Sequence, residues 1–259
     1  MAAAGPRTLI DLASARFRPA GRFAYHFARG KLGADPAFAA MLARGLLAQR
    51  ARILDLGCGQ GLLAAWILAA RDAARAGRWP DHWPAPPDPV QIRGIEYMPG
   101  EVRRAQRALG ADAQFEVGDL RTAAISPADA IVILDVLHYI DYPAQLDLLR
   151  RVRLALAADG ILILRVGDAA AGLPFIVSNW VDRAIFIARG HGWSRLYCRP
   201  LAAWRAVLDE LGFDTEAVPM SEGTPFANVL VVARPRALVP DRGGSGYLPV
   251  DSASIASNR

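Results

Sequence analysis

The segment Leu54-Asp55-Leu56-Gly57-Cys58-Gly59-Gln60-Gly61 constrains this chain more than any other. Residues 53–56 form a short strand that is apolar except at Asp55, and it runs directly into three glycines at alternate positions. Glycines spaced this way let the backbone turn sharply and approach a ligand closely. Leu63, Ile67 and Ala70 follow at helical spacing, with Leu62 and Trp66 widening the face, so a helix begins where the turn ends. The unpaired N–H groups of its first turn face the same ligand. Dinucleotide folds use a glycine turn too, but a nicotinamide fingerprint needs G-x-G-x-x-G, and here the last of those positions is Leu62. Asp55, at the strand end, would repel a pyrophosphate and suits a ligand with a cationic amino group.

The rest of the chain repeats the alternation. Strands are expected at residues 91–96, 113–117, 130–134 and 161–166, with 130–134 an unbroken apolar run of the kind buried in a parallel sheet. Helices are expected at 100–109 and from Pro143 onward, the latter with Leu146, Leu149, Val152 and Leu156 on one face and Asp159-Gly160 as its left-handed stop. A further helix opens at Pro200, carries Leu201, Trp204, Leu208 and Leu211, and stops at Gly212. Residues 215–219 and 228–233 supply two closing strands. The expected fold is therefore α/β: a doubly wound, Rossmann-like parallel sheet, whose ligands bind at the carboxyl ends of strands where strand order switches.

Three regions flank this core. Residues 1–50 form an N-terminal segment, loosely ordered to residue 20 and helical from 21 to 50, with Asp35-Pro36 as an N-cap followed by proline and Phe38, Leu42 and Leu46 as an apolar stripe. Residues 77–89 hold five prolines, which no helix or central strand tolerates; Trp79 and Trp83 are read as packing this surface loop down. Residues 236–259 read as a disordered tail. An apolar helix at 174–189 interrupts the alternation, and Phe175, Ile176, Trp180, Ile185 and Phe186 either form a lid or complete the core.

Chemistry-bearing residues fall at strand ends. Glu96 closes the second strand, where an acid can accept two hydrogen bonds from a ribose diol. Asp119, in Val117-Gly118-Asp119-Leu120, is a turn residue able to accept from an adenine amine. Asp135 ends the buried strand and is expected to face the cleft, since an unpaired buried carboxylate is costly. His138 follows as the first candidate base and Tyr139 as the second, needed only if the acceptor must lose a proton; otherwise His138 packs or hydrogen-bonds near the ligand.

Composition excludes several classes. With 53% hydrophobic and 21% charged residues the 259-residue chain is globular. Its net charge of +5 comes from scattered arginines with no aromatic-and-basic stripe, so nucleic acid is not the expected partner. Neither a membrane span nor a signal peptide is expected, and the location expected is cytoplasmic. Cys58, Cys198 and four histidines give no disulfide framework and no metal-ligand spacing. Lys31 is the only lysine.

These segments, in this order over residues 50–235, resemble the class I S-adenosylmethionine-dependent methyltransferases, in the small-molecule branch. No Asn/Asp-Pro-Pro-aromatic run of the kind tied to adenine or glutamine methylation follows the fourth strand. The resemblance implies a seven-stranded sheet with an antiparallel last strand and S-adenosylmethionine as cofactor. It implies that Gly57, Cys58, Gly59 and Gly61 line the methionine part, with Asp55 near its amino group. Glu96, with Tyr97 and Met98, would hold the ribose, Asp119 and Leu120 would frame the adenine, and Asp135 would border cofactor and substrate. In the stretch Tyr25-His26-Phe27-Ala28-Arg29-Gly30-Lys31, either Tyr25, Arg29 or Lys31 meets the cofactor carboxylate or an acidic substrate, or the stretch forms a solvated basic helix face. That stretch is also similar to methyltransferases of bacterial aryl polyene and fatty-acid-like biosynthesis, which implies an aromatic or acyl-linked acceptor. The competing expectations are a tRNA or rRNA methyltransferase, favoured by the basic balance, and a non-catalytic scaffold on the same fold.

Overall fold

A computed structural model describes residues 6–171, 196–220 and 228–236. Seven strands form one sheet: β1 (Arg52–Leu56), β2 (Gln91–Glu96), β3 (Gln114–Val117), β4 (Ala128–Leu134), β5 (Leu156–Gly167), β6 (Phe213–Pro219) and β7 (Asn228–Pro235). Their order is β3-β2-β1-β4-β5-β7-β6, with β7 antiparallel to both neighbours. The seven-stranded Rossmann-like sheet with an antiparallel last strand is the expected architecture. The chain steps outward from β1 to β2 and β3, then returns to place β4 on the other side of β1. The strand order therefore reverses between β1 and β4, and their carboxyl ends open the crevice where such folds bind ligands.

Helices cover both faces: α1 (Pro6–Ala15), α2 (Arg22–Ala34), α3 (Pro36–Ala43), α4 (Leu62–Arg75), α5 (Pro99–Leu109), α6 (Tyr142–Ala155) and α7 (Leu201–Glu210). One hydrophobic cluster packs α1–α5 against the sheet, and a second packs α6 and α7 against the opposite face. Alternate residues of β4 divide between the two, Ala130 and Val132 in the first and Ile131 and Ile133 in the second, as the pleat dictates. Helix α4 is buried almost all round, from Leu62 to Ala70, because α1 and α2 cover the side that the sheet does not. The Trp66 indole donates to the Phe38 carbonyl at 2.8 Å and fixes α4 to α3.

Two local expectations are corrected. Residues 6–15 are a helix rather than loose chain, because Leu9, Ala13 and Phe17, each one turn apart, are wholly buried against α2 and α4. Helix α6 stops at Ala155, four residues before the expected Asp159-Gly160 stop. Leu156 is already extended and pairs with Ala128, the next β4–β5 partners are Ala130 and Ile161, and Gly160 is not left-handed. The Asp-Gly pair thus lies in an irregularity within β5, not in a helix cap. The 76–90 connection carries no helix or strand; Trp79 and Trp83 meet edge-to-face at 5.6 Å and pack partly buried against the first cluster. The lid expected at 174–189 and the tail expected beyond residue 236 lie outside the described residues. No helix among the described residues is long and apolar enough to cross a membrane.

The buried role of α1 is measurable. Leu9→Ala should destabilise the fold by about 2–5 kcal/mol in urea unfolding, whereas Phe23→Ala, at a side chain 66% exposed, should cost less than about 1 kcal/mol. Equal effects would mean that α1 is not packed as described.

Candidate functional site

The glycine turn sits at the reversal of strand order. β1 pairs with β2 on one side and β4 on the other, so the turn after Leu56 lies between the ends of both. The Gly57 and Cys58 N–H groups donate to the Ile95 carbonyl at 2.7 and 3.2 Å, which pins the turn to the end of β2. Gly57 has φ +78°, and a Cβ there would lie 2.2 Å from Val136 Cγ2, so no other residue fits. Gly59 is also left-handed, at φ +54°, but a Cβ there would meet nothing within 4 Å. Its open side is the space a ligand can fill.

Two acids flank this turn and behave differently. Asp55 is 4% exposed, and burial together with the charge of Glu96 pushes its carboxyl up to about 8. Glu96 is held by the backbone: one oxygen accepts from Gly59 N–H at 3.0 Å and the other from Met98 N–H at 2.8 Å. A carboxylate has about four acceptor sites, so each oxygen keeps capacity for a ribose hydroxyl. Met98 precedes α5, and Tyr97 beside it is 56% exposed. Cys58 is buried and its thiol is pushed well up by burial and the nearby acids, which makes it a packing residue and not a nucleophile. Gln60, 2% exposed, donates to the Ala24 carbonyl at 2.9 Å and draws α2 onto the turn.

Asp119 and Leu120 stand differently from the simple reading. Arg121 donates to both Asp119 oxygens, through Nε at 3.0 and 2.9 Å and through Nη2 at 2.5 Å, and holds the carboxyl below its usual range. Leu120 is 6% exposed and its side chain belongs to the second core cluster, with Ile95 and Leu137. Arg29 pairs with Asp11 of α1. The basic residue of that stretch that reaches the strand ends is Lys31, 3.0 Å from Asp35 and 3.7 Å from Asp135.

Asp135 is not an isolated cleft acid. It takes φ +56°, and both its oxygens accept from Arg165 of β5, Oδ1 from Nε at 2.7 Å and Oδ2 from Nη2. Arg165, its side chain 2% exposed, also donates to Asp35, which caps α3 through Ala37 N–H at 3.1 Å. Arg165 and Lys31 hold both aspartates low against the cost of burial. Arg165 is the one charged side chain in the apolar run 161–166, and that was a sequence signal for a buried counter-charge.

His138 lies in a 3-10 turn, Leu137–Tyr139, just past Asp135, and its ring centroid is 4.1 Å from that of Tyr139. Burial lowers the imidazole to about 4 although Asp135 pulls the other way, so it is neutral at pH 7. The turn is braced by Gln145, a residue that sequence reasoning missed. Its amide donates to the Leu137, Ile140 and Tyr197 carbonyls at 2.9, 3.1 and 2.8 Å and accepts from Arg199 at 2.9 Å. Tyr197 N–H in turn donates to the His138 carbonyl at 2.8 Å, and Tyr142 meets Tyr197 edge-to-face at 5.5 Å. An aromatic wall thus stands beyond β4.

Residues 54–162 match the family model of a methyltransferase domain. No curated protein matches the sequence. Among solved structures, magnesium protoporphyrin IX methyltransferase from Synechocystis, with S-adenosylhomocysteine bound, aligns over 86% of this chain and 93% of its own at 21% identity and TM-score 0.54. The pyocyanin biosynthetic protein PhzM aligns over 86% of this chain and 61% of its own at 21% identity and TM-score 0.58. Human N-acetylserotonin methyltransferase, in complex with S-adenosylmethionine, aligns over 89% of this chain and 58% of its own at 15% identity and TM-score 0.55. This chain therefore spans less than two thirds of the latter two. At these identities the likeness is one of fold. The matched domain model covers residues 54–162, less than half of the chain.

The two shifted groups give opposed pH dependences. His138, lowered from 6.5 to about 4, contributes stability that is full above pH 6.5 and is lost as pH falls towards 4. Asp55, raised from 3.8 to about 8, contributes stability that is full below 3.8 and is lost as pH rises through about 8. The difference between variant and wild type separates them. His138→Gln should gain on wild type by roughly 2–3 kcal/mol between pH 6.5 and 4, and Asp55→Asn should gain between pH 4 and 8, both read from urea midpoints. A pH-independent difference would contradict these burial effects.

Proposed function

We propose that this protein transfers the methyl group of S-adenosylmethionine to a small-molecule acceptor with an aromatic or apolar body. The observation that carries the reading is the pairing of a three-glycine turn, open at Gly59, with Glu96 fixed by Gly59 and Met98 N–H groups at the reversal of strand order. A backbone-pinned carboxylate there fits a ribose diol, and Asp55 fits a cationic amino group once the ammonium charge lowers its pKa and its proton passes to solvent. Cys58, Gly57 and Gly61 would line the methionine part, and Tyr97 and Met98 would border the ribose. Asp119 would reach an adenine amine only by sharing its oxygens with Arg121.

The acceptor side is the region beyond β4, where Tyr139 lies against the His138 ring and Tyr142 meets Tyr197, whose N–H donates to the His138 carbonyl. Their aromatic faces suit a flat or apolar acceptor. The fold neighbours act in the same direction by name, one on magnesium protoporphyrin IX and one in pyocyanin biosynthesis. Methyl transfer from a sulfonium is a direct displacement, so holding donor and acceptor in line supplies most of the rate. A neutral His138 with a conjugate acid near 4 is a weak base. It can accept a hydrogen bond from an acceptor hydroxyl and orient it, with Tyr139 beside it, and removes a proton only as the methyl group arrives.

Calorimetry tests the cofactor. Wild type should bind S-adenosylmethionine and S-adenosylhomocysteine with micromolar affinity and not bind NAD, and Gly59→Arg, which fills the open side of the turn, should bind none of them while remaining folded. Failure of folded wild type to bind either ligand would sink the methyltransferase reading and leave a scaffold on a shared fold. Binding near pH 7 should also release up to one proton, because the ligand ammonium lowers the Asp55 pKa from about 8. The binding enthalpy should then differ between phosphate and Tris buffers, and Asp55→Asn should remove that difference; no buffer dependence in wild type would mean that Asp55 is already ionised.

A further inference from the structure

Four charged side chains form one cluster along the crevice: Asp35, Arg165, Asp135 and Lys31. They are graded in exposure. The Arg165 and Asp35 side chains are 2% and 7% exposed, and those of Asp135 and Lys31 are 33% and 40% exposed. The buried end is a neutral ion pair, and the open end is an aspartate with a lysine 3.7 Å away, beyond hydrogen-bond length. Two carboxylates and two cations leave the cluster with no net charge, so a change at any one of them leaves a whole unit charge behind.

Its open end borders the cofactor crevice. β4 lies next to β1 with Ile133 opposite Leu56, and both chains leave the sheet there. Val136 packs directly on Gly57. Asp135, the residue before Val136, is held left-handed by its two bonds to Arg165 and by its own N–H donating to the Arg165 carbonyl at 3.3 Å. A non-glycine residue in that conformation is retained at a cost in backbone strain, and such residues concentrate where ligands bind. Asp135 therefore stands beside the part of the glycine turn that would hold the methionine end of the cofactor.

The cofactor and its product differ at that end by one methyl group and one unit of charge: a sulfonium before transfer and a neutral thioether afterwards. Every contact to ribose, adenine, amino group and carboxylate is common to both. Contacts to the methyl group itself and the field at the sulfur are what can tell them apart. We propose that the Asp35–Arg165–Asp135–Lys31 cluster sets the preference of this protein for the sulfonium cofactor over its thioether product, with Lys31 tuning how much of the Asp135 charge the crevice feels. This rests on the cofactor reading above. Asp135 attracts the sulfonium, Arg165 fixes where that charge sits, and Lys31 damps it. Lys31 is the specificity-determining residue of the four because it is the most exposed and, anchored on Asp35 at 3.0 Å, reaches Asp135 by charge alone.

The test measures the ratio of the two dissociation constants, S-adenosylhomocysteine over S-adenosylmethionine, by calorimetry on the full chain. Lys31→Met leaves the cluster at −1 and should move the ratio towards the sulfonium by roughly three- to tenfold, the range for one partly screened unit charge. Lys31→Arg keeps the charge and should restore the wild-type ratio. Asp35→Asn leaves the cluster at +1 and should move the ratio the opposite way, and asparagine caps a helix as well as aspartate does, so α3 is retained. A ratio that stays constant across the three variants, or equal weakening of both ligands in Lys31→Met, would overturn the inference while leaving the cofactor assignment intact. Failure of wild type to bind either ligand would instead overturn the assignment, and the inference with it.

Discussion

An arginine buried inside a parallel sheet must carry its counter-charges with it. Arg165 does so by taking one aspartate from each side of the crevice: Asp35, which starts α3, and Asp135, which ends β4. The consequence is architectural. The N-terminal helices are held to the strand ends by charge as well as by the apolar faces of Ala24, Ala28 and Leu32, and removal of either aspartate would leave a charge stranded in the core. Gln60 adds a second tether, from the glycine turn to the Ala24 carbonyl. The helices that precede the sheet thus take part in building the crevice rather than merely covering one face of the core.

Within that frame the acids divide by environment. Glu96 is satisfied by two backbone N–H groups, Asp55 is buried beside it and rises to about 8, and Asp135 is held low by Arg165 and Lys31. Three carboxylates within one crevice would repel one another if all were ionised and unpaired. The fold avoids this by pinning one with backbone donors, leaving one largely protonated and neutralising the third. His138 fits the same pattern: a neutral imidazole next to a paired aspartate adds no charge to a crevice that would receive a cationic cofactor.

Much of this was legible in the sequence, for physical reasons that differ by element. The unbroken run at 130–134 announced a strand buried on both faces, and the glycine spacing announced the turn, because these features depend on local geometry alone. The N-terminal helix at Leu9, Ala13 and Phe17 was missed because flanking prolines and arginines mask a stripe of only three residues. The end of α6 was misplaced because Asp159-Gly160 is a sound stop signal, but pairing of Leu156 with Ala128 extends β5 backwards past it. At the site, Glu96 and Asp55 could be placed from their positions at strand ends. The partners of Asp119, Asp135 and Arg29 could not, since Arg121, Arg165 and Asp11 are brought to them by side-chain reach and by tertiary packing that no spacing encodes. Gln145 escaped notice for the same reason: a glutamine on a helix carries no signal until the three carbonyls it braces are in place.

The most direct test of the central claim is the position of S-adenosylhomocysteine in crystals of this protein grown with it. The account predicts the ribose hydroxyls within about 2.6–3.2 Å of the Glu96 carboxylate, the amino group beside Asp55, and the thioether sulfur on the Asp135 side of the glycine turn. A ligand bound elsewhere, or bound with its ribose turned away from Glu96, would contradict it.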